Sequence, residues 1–383
     1  VEKVHIFHFL VNDTFKRAEN MSYICSTGLG IPDEKYAQEK VKGLVKEMFP
    51  SLLEKKVNRI MPIFDHAQVE ERQLVVTEGW LKQSHTFEEK NDLYQKHSLL
   101  KSLEAIDHCL TNPDYLQAPV PYEAIDLIIY ISSTGIMTPS PDTYIMNERP
   151  FREDVVRMPL WGLGCAGGAI GLGRAFDWLV AHPNKTALIV CCELCSLTFQ
   201  KTDTKMSNIV GTALFGDGVG AALLMGDTSP SLSLRKKPVP KIMKTSSFTK
   251  KDSTKIMGWD IKNAGFEVVF SKKIPKLVQT IWKDHLLSFF KELNLTEAQI
   301  HSFIAHPGGR KVLEAMEDTL SISQEKMKHS YHVLAHHGNM SSATVIYVLH
   351  EWLKESIAPQ EKSILSALGP GFSSELLLLE WVE

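Results

Sequence analysis

The sequence predicts an α/β protein made of two similar halves, and three observations carry that prediction. Ala124–Ser132 (AIDLIIYIS) and Thr186–Leu194 (TALIVCCEL) are continuous apolar runs and read as strands buried on both faces. Between them, Trp161–Ala181 (WGLGCAGGAIGLGRAFDWLVA) is rich in glycine and alanine and carries only Arg174 and Asp177 as charges. It reads as a helix buried on nearly every face. The same strand–helix–strand order returns in the last third of the chain, as HSFIAHPGG from His301, GNMSSATVIYVLHEWL from Gly338 and KSILSALGPG from Lys362. Gly338 then matches Gly164, Asn339 matches Cys165, Ala343 matches Ala169, and Trp352-Leu353 falls at the offset of Trp178-Leu179. With matched flanking strands, this agreement predicts an internal duplication, two α/β halves packed face to face.

The rest of the chain fits around these units. Ile24–Pro32 reads as a short strand running into a turn, and Lys35–Met48 has helical spacing. Arg59–Val76 reads as a loop, a short helix and an edge strand, and Phe87–Thr111 as a long amphipathic helix. Asp227–Gly265, with its lysines, prolines and serines, reads as a solvated crossover between the halves.

Composition narrows the class. With 383 residues, 44% hydrophobic and 23% charged, the chain can build one large or two smaller cores. A net charge of −3 excludes a general nucleic-acid binder. Six cysteines, three of them clustered at Cys191, Cys192 and Cys195, do not form a disulfide framework and fit a reducing cytoplasm. No apolar run reaches the length of a membrane span. The opening VEKVHIFHFLV is interrupted by His5 and His8 and lacks a small-residue cleavage site, so it does not read as a signal peptide. Residues 1–22 are taken as an N-terminal extension.

Weaker motifs carry little. Cys192 and Cys195 form a CxxC without a second pair, at the end of a buried strand, which argues against zinc or redox use. GDGVG at 216–220 is too short for a dinucleotide loop, and His336-His337 reads as support for a turn, not as a metal site.

The chemistry concentrates at the duplicated ends. Cys165 is expected at a helix N-terminus, where free N–H groups and the helix dipole favour a thiolate. A thiolate there attacks an acyl carbon while backbone N–H groups hold the oxyanion. The second helix offers Asn339 at the equivalent position, and the second strand tip offers His306. Together they make a nucleophile, a base or hydrogen-bond donor, and an amide donor.

GCAGG around Cys165, FGDG at 215–218, IAHPGG at 304–309, GNMSSA at 338–343 and GPGF at 369–372 together resemble the chalcone synthase-like type III polyketide synthases. The resemblance runs from about Tyr23 to the C-terminus, and STGIMTPSPD, WGLGCAGGA and ELCSLTFQ are similar to the bacterial alkylpyrone synthases. It implies a thiolase fold with a layered αβαβα core, a nucleophile half at 23–228 and a His/Asn half at 229–383. It also implies a homodimer, acyl-CoA and malonyl-CoA as substrates, no further cofactor and no metal.

By the resemblance, Cys165 carries the growing chain, while His306 and Asn339 hold the malonyl thioester carbonyl and its enolate. His306 would also pair with Cys165 and keep it charged. Phe215 matches the aromatic gate between CoA tunnel and cavity. Gly369, Pro370 and Gly371 match the loop shaping the cyclisation pocket, and Ser341, Thr134, Cys195 and Thr198 match cavity positions. Met137 and Thr138 stand where the family inserts a residue into the neighbour's cavity. Val268 falls where the plant enzymes have a second gating aromatic. Arg59 and Lys311 are the expected CoA contacts, whereas Pro62 and His66 stand where further charges would be. The more apolar wall at Val268 and Cys195 predicts a fatty acyl starter and an alkylpyrone product. Rival readings are a ketoacyl-ACP synthase of the initiation type, a Cys-His-Asn hydrolase and a non-enzymatic acyl-binding protein.

Overall fold

The computed structural model describes residues 21–236 and 238–383. The segment read against a signal peptide, and nearly all of the N-terminal extension, lie outside the described residues. The first half contributes strands β1 (Ser22–Gly30), β2 (Glu34–Ala37), β3 (Glu71–Leu74), β4 (Leu127–Ser132), β5 (Val156–Trp161), β6 (Thr186–Leu194) and β7 (Asp217–Gly226). The second contributes β8 (Val239–Thr249), β9 (Met257–Lys262), β10 (Gly265–Phe270), β11 (Ile300–Ala305), β12 (Lys362–Gly369) and β13 (Ser373–Val382). Helices used below are α1 (Gln38–Met48), α2 (Phe87–Thr111), α3 (Gly167–Ala181), α4 (Met206–Leu214), α5 (Lys283–Leu293) and α6 (Thr344–Lys354).

Nine strands form one sheet in the order β11-β12-β13-β8-β1-β7-β6-β4-β5. The two halves meet at a narrow seam, where β1 pairs with β8 only at Ser22–Ile242 and Tyr23–Lys241. In each half a helix is flanked by parallel strands: β4 pairs with β6 around α3, and β11 with β12 around α6. Every residue of β4 and β6 is buried, as their unbroken apolar runs require.

The layers follow from what each helix touches. α3 contacts β4, β6 and β7 of its own half and β12 and β13 of the other, so it lies between them, against α6. α2 covers the far side of β1, β6 and β7. On the opposite outer face, Trp282 donates its indole N–H to Ser366 of β12, and His285 of α5 bonds Ser246 of β8 and Ser374 of β13. Five layers result, αβαβα. α2 begins where a capping box fixes it: Thr86 Oγ1 accepts from the Glu89 N–H at 3.2 Å, and the Glu89 carboxylate accepts from the Thr86 N–H at 2.8 Å.

Four expectations need correction. Asp227–Gly265 is no solvated crossover, because it contains β8, a strand in the middle of the sheet with buried Val239 and Ile242. Its lysines are accommodated because Lys241 pairs with Glu380 on β13 and Lys244 with Glu292 on α5. Downstream, β9 and β10 form a separate hairpin over the site. Lys35–Met48 opens with a strand, β2, which pairs with β3. Arg59 belongs to a longer helix, Pro50–His66, and the run from Trp161 begins as the end of edge strand β5 before the Cys165 turn.

Candidate active site

Cys165 sits on a tight turn, Gly164–Ala166, that leads directly into α3. Gly164 has φ +49°, a conformation glycine adopts without strain. The equivalent end of α6 is preceded by its own turn, Ser341–Ala343, with Asn339 just before it. His306 follows the tip of β11, and its backbone N–H donates to the Ser366 carbonyl at 2.8 Å. The three side chains are buried and line one cavity of about 480 Å³.

Within it, Cys165 Sγ lies 3.9 Å from Asn339 Oδ1. Asn339 Oδ1 also accepts the Ser341 N–H at 2.8 Å, while Nδ2 donates to the Gly308 carbonyl at a stretched 3.4 Å. The amide therefore holds its oxygen toward the sulfur and has its N–H₂ weakly engaged. Both ring nitrogens of His306 are buried without a hydrogen-bond partner. Buried polar atoms without partners are costly, so a cavity that leaves them so is built for an incoming acceptor or donor.

Burial acts on both members of the thiolate–imidazolium pair anticipated above. Burial pushes the Cys165 thiol up to about 12, and the carboxylate of Glu193 adds to this, against opposing bonds from Ser341 and Asn339. Burial pushes His306 down to about 3. Burial thus disfavours the charged form of each group, because the cavity removes both from water.

Phe215, Val268, Cys195 and Thr198 line a second, smaller cavity, together with Arg72 and with Val41, Leu44 and Met48 of α1. Phe215 stands at the end of α4. Val268 lies on that wall, as its lack of an aromatic ring allows, but the aromatic contact to Phe215 is not lost. Phe270, two residues on, and Trp259 on the facing strand place their rings 5.6 and 5.9 Å from it. Thr134 turns its hydroxyl away to a buried carboxylate, donating to Glu193 at 3.0 Å and accepting the Leu194 N–H at 2.9 Å. Gly369 and Pro370 back the nucleophile turn: a Cβ on Gly369 would come within 2.5 Å of Ala166 Cβ, and Pro370 Cγ lies 2.7 Å from where Gly164 would carry one. Gly371 accepts from Ser253.

Arg59 and Lys311 both border the large cavity. Lys272 and Arg310, which the sequence reading missed, join them there with His66. Glu193 was missed too. It accepts bonds from Ser133 and Thr134 of one half and from Ser342 of the other, at 2.6 to 3.2 Å. A lone acid inside an apolar strand was the available signal.

Known proteins share this architecture. Residues 12–228 match the family described as chalcone and stilbene synthases, N-terminal domain, and residues 243–383 match its C-terminal domain. A Bacillus subtilis (strain 168) protein named for chalcone synthase is 42% identical over 362 residues, covering 94% of this chain and 99% of its own. A 1,3,6,8-tetrahydroxynaphthalene synthase of Streptomyces peucetius subsp. caesius is 39% identical over 258 residues, 67% of each chain. The crystal structure of the tetrahydroxynaphthalene synthase of Streptomyces coelicolor A3(2), described as a bacterial type III polyketide synthase, superposes with a TM-score of 0.86 at 24% identity. It covers 94% of this chain and 99% of that one.

Proposed function

We propose a reaction from one established premise: this chain belongs to the chalcone and stilbene synthase family, the type III polyketide synthases, which are decarboxylating condensing acyltransferases using acyl-CoA and malonyl-CoA. In our reading Cys165 is the nucleophile. As its sulfur attacks the starter thioester, the thiol proton passes to His306, and CoA leaves with it. Malonyl-CoA then binds with its thioester carbonyl between His306 and the Asn339 amide N–H₂. Loss of carbon dioxide leaves an enolate that these donors stabilise; its carbon attacks the Cys165 thioester, the acyl carbon–sulfur bond breaks, and the lengthened chain is left on CoA with the Cys165 sulfur free to take it back. The supporting observation is the single cavity that joins Cys165, His306 and Asn339 at one end to Arg59, Lys272, Arg310 and Lys311, cations suited to CoA phosphates.

For the starter we propose a fatty acyl chain, and for the product an alkylpyrone. The apolar residues Val41, Leu44, Met48, Phe199 and Val268 on the wall of the second cavity, which Arg72, Asn208 and Thr212 also line, support this, since each buried methylene contributes roughly 0.8 kcal/mol. Lactone closure needs only an enol oxygen attacking the thioester. The test is side-by-side turnover of octanoyl-, palmitoyl- and coumaroyl-CoA with products identified by mass. Octanoyl- or palmitoyl-CoA should give pyrones after two or three extensions. Fastest turnover of coumaroyl-CoA, giving a chalcone, sinks the starter assignment.

We further infer a homodimer. Sheet edge β5 leaves Val156 and Trp161 45% and 50% exposed, and Ile136 beside Met137 is 43% exposed. Such an apolar unpaired edge calls for a partner, and a second copy supplies one. Light scattering at micromolar concentration should give twice the chain mass; a fully active monomer contradicts this.

A further inference from the structure

Arg72 on β3 is 1% exposed, and among the described residues its guanidinium forms no ion pair by hydrogen bonding. It donates instead to the carbonyls of Thr212 at 2.8 Å, Phe215 at 2.9 Å and Ala213 at 2.9 Å, and to Gln38. These carbonyls are the unsatisfied end of α4 and the residue just beyond it, where a helix presents partial negative charge. Arg72 is therefore the cap of α4, supplied from another part of the chain. Burying it lowers its affinity for the proton, toward about 9, although Asp217 opposes this.

The segment it grips is the one on which Asn339 is hung. The Asn339 N–H donates to the Leu214 carbonyl at 2.8 Å, and the Gly216 N–H donates to the Asn339 carbonyl at 3.1 Å. Phe215 and Asn339 form an isolated parallel bridge. The two backbones are in such close contact that a Cβ on Gly216 would stand 2.1 Å from the His337 carbonyl. One residue further, Asp217 accepts from the N–H and hydroxyl of Ser196 and from the Val75 N–H, at 2.5 to 2.8 Å, which ties the wall of the second cavity to the same segment.

We propose that Arg72 is a positioning residue for the malonyl half-reaction: by clamping residues 212–215 it fixes the backbone that sets Asn339 opposite Cys165. Cys165 itself is seated on a different segment, the Gly164–Ala166 turn against Pro370. The proposal rests on the roles given above to Asn339 and His306.

The experiment separates the two half-reactions. Octanoyl-CoA loading on Cys165, read by intact mass, counts competent sites; malonyl-CoA decarboxylation is then measured per loadable site in wild type, Arg72→Met, Arg72→Lys and Asn339→Ala. Because Arg72 also lines the second cavity, loading is not itself the control, and the reading is the ratio: in Arg72→Met, decarboxylation per loadable site is expected to fall on the order of 10- to 100-fold. Arg72→Lys should recover part of it, because an ammonium reaches fewer of the carbonyls than the guanidinium fork. Decarboxylation per site that is unchanged in Arg72→Met, or that falls only in step with loading, overturns the proposal. If Arg72→Met yields no loadable protein, Arg72→Lys decides by the same ratio, and failure of both variants to fold overturns it as well. If Asn339→Ala keeps wild-type decarboxylation, the fault lies in the proposed mechanism and not in Arg72.

Discussion

The two strand–helix–strand units, β4–α3–β6 and β11–α6–β12, put their helices in the same central layer by opposite means. α3 makes its contacts with glycine, and α6 with bulk. A Cβ on Gly168 would stand 2.5 Å from both the Ser342 carbonyl and Val345 Cγ1, and one on Gly171 would stand 2.3 Å from Ile131 Cδ1. α6 presents Val345, Ile346 and Tyr347, which fill the space over Gly168, Gly220 and Gly218. The difference shows how one repeated scaffold came to hold two unlike reagents. With the small residues on one helix and the large ones on the other, the two helix starts approach closely enough to bring Cys165 and Asn339 to 3.9 Å.

The largest expected break in that comparison is at the nucleophile. Cys165→Ala should abolish starter loading, read as loss of the acyl adduct by mass, while malonyl-CoA decarboxylation persists in part. Label appearing instead on Cys195 would show that Cys165 is not the nucleophile. Next comes the partner position. Asn339→Ala should still load starter but lose on the order of 100-fold or more in decarboxylation and condensation, the usual cost of one oxyanion donor. Near-normal product release from that variant removes the division of labour between the halves. The smallest effect concerns packing alone. Gly168→Ala should destabilise the fold by about 1–3 kcal/mol through overpacking against α6. A thermal midpoint equal to wild type would mean that the glycines of α3 are not what lets the helices meet.

Much of this was legible in the sequence, for reasons that differ by element. β4 and β6 announce themselves because both faces are buried, and α2 runs over Phe87–Thr111 because its spacing and Thr86–Glu89 cap leave little choice. The duplication was readable because small residues and tryptophans recur at one offset. β8 was not, because its lysines are balanced by Glu380 and Glu292, carboxylates distant in sequence. Nor could Arg72 be singled out in the polar run VEERQ, since its burial depends on helix ends contributed from residues 212–215. Val268 looked like a lost ring; only the pairing of β9 with β10 shows Trp259 and Phe270 beside Phe215. The effect of burial on Cys165 was also out of reach, because a helix start favours a thiolate while the depth of burial that opposes it is set by both halves.

The burial of the Cys165 sulfur bears on oxidation as well as on turnover. Peroxide and other electrophiles attack thiolates, and burial, which pushes the Cys165 thiol up, works against that form. The seclusion that shapes the reaction cavity thereby also opposes the climb to sulfenic and sulfinic acid that disables exposed, acidic cysteines.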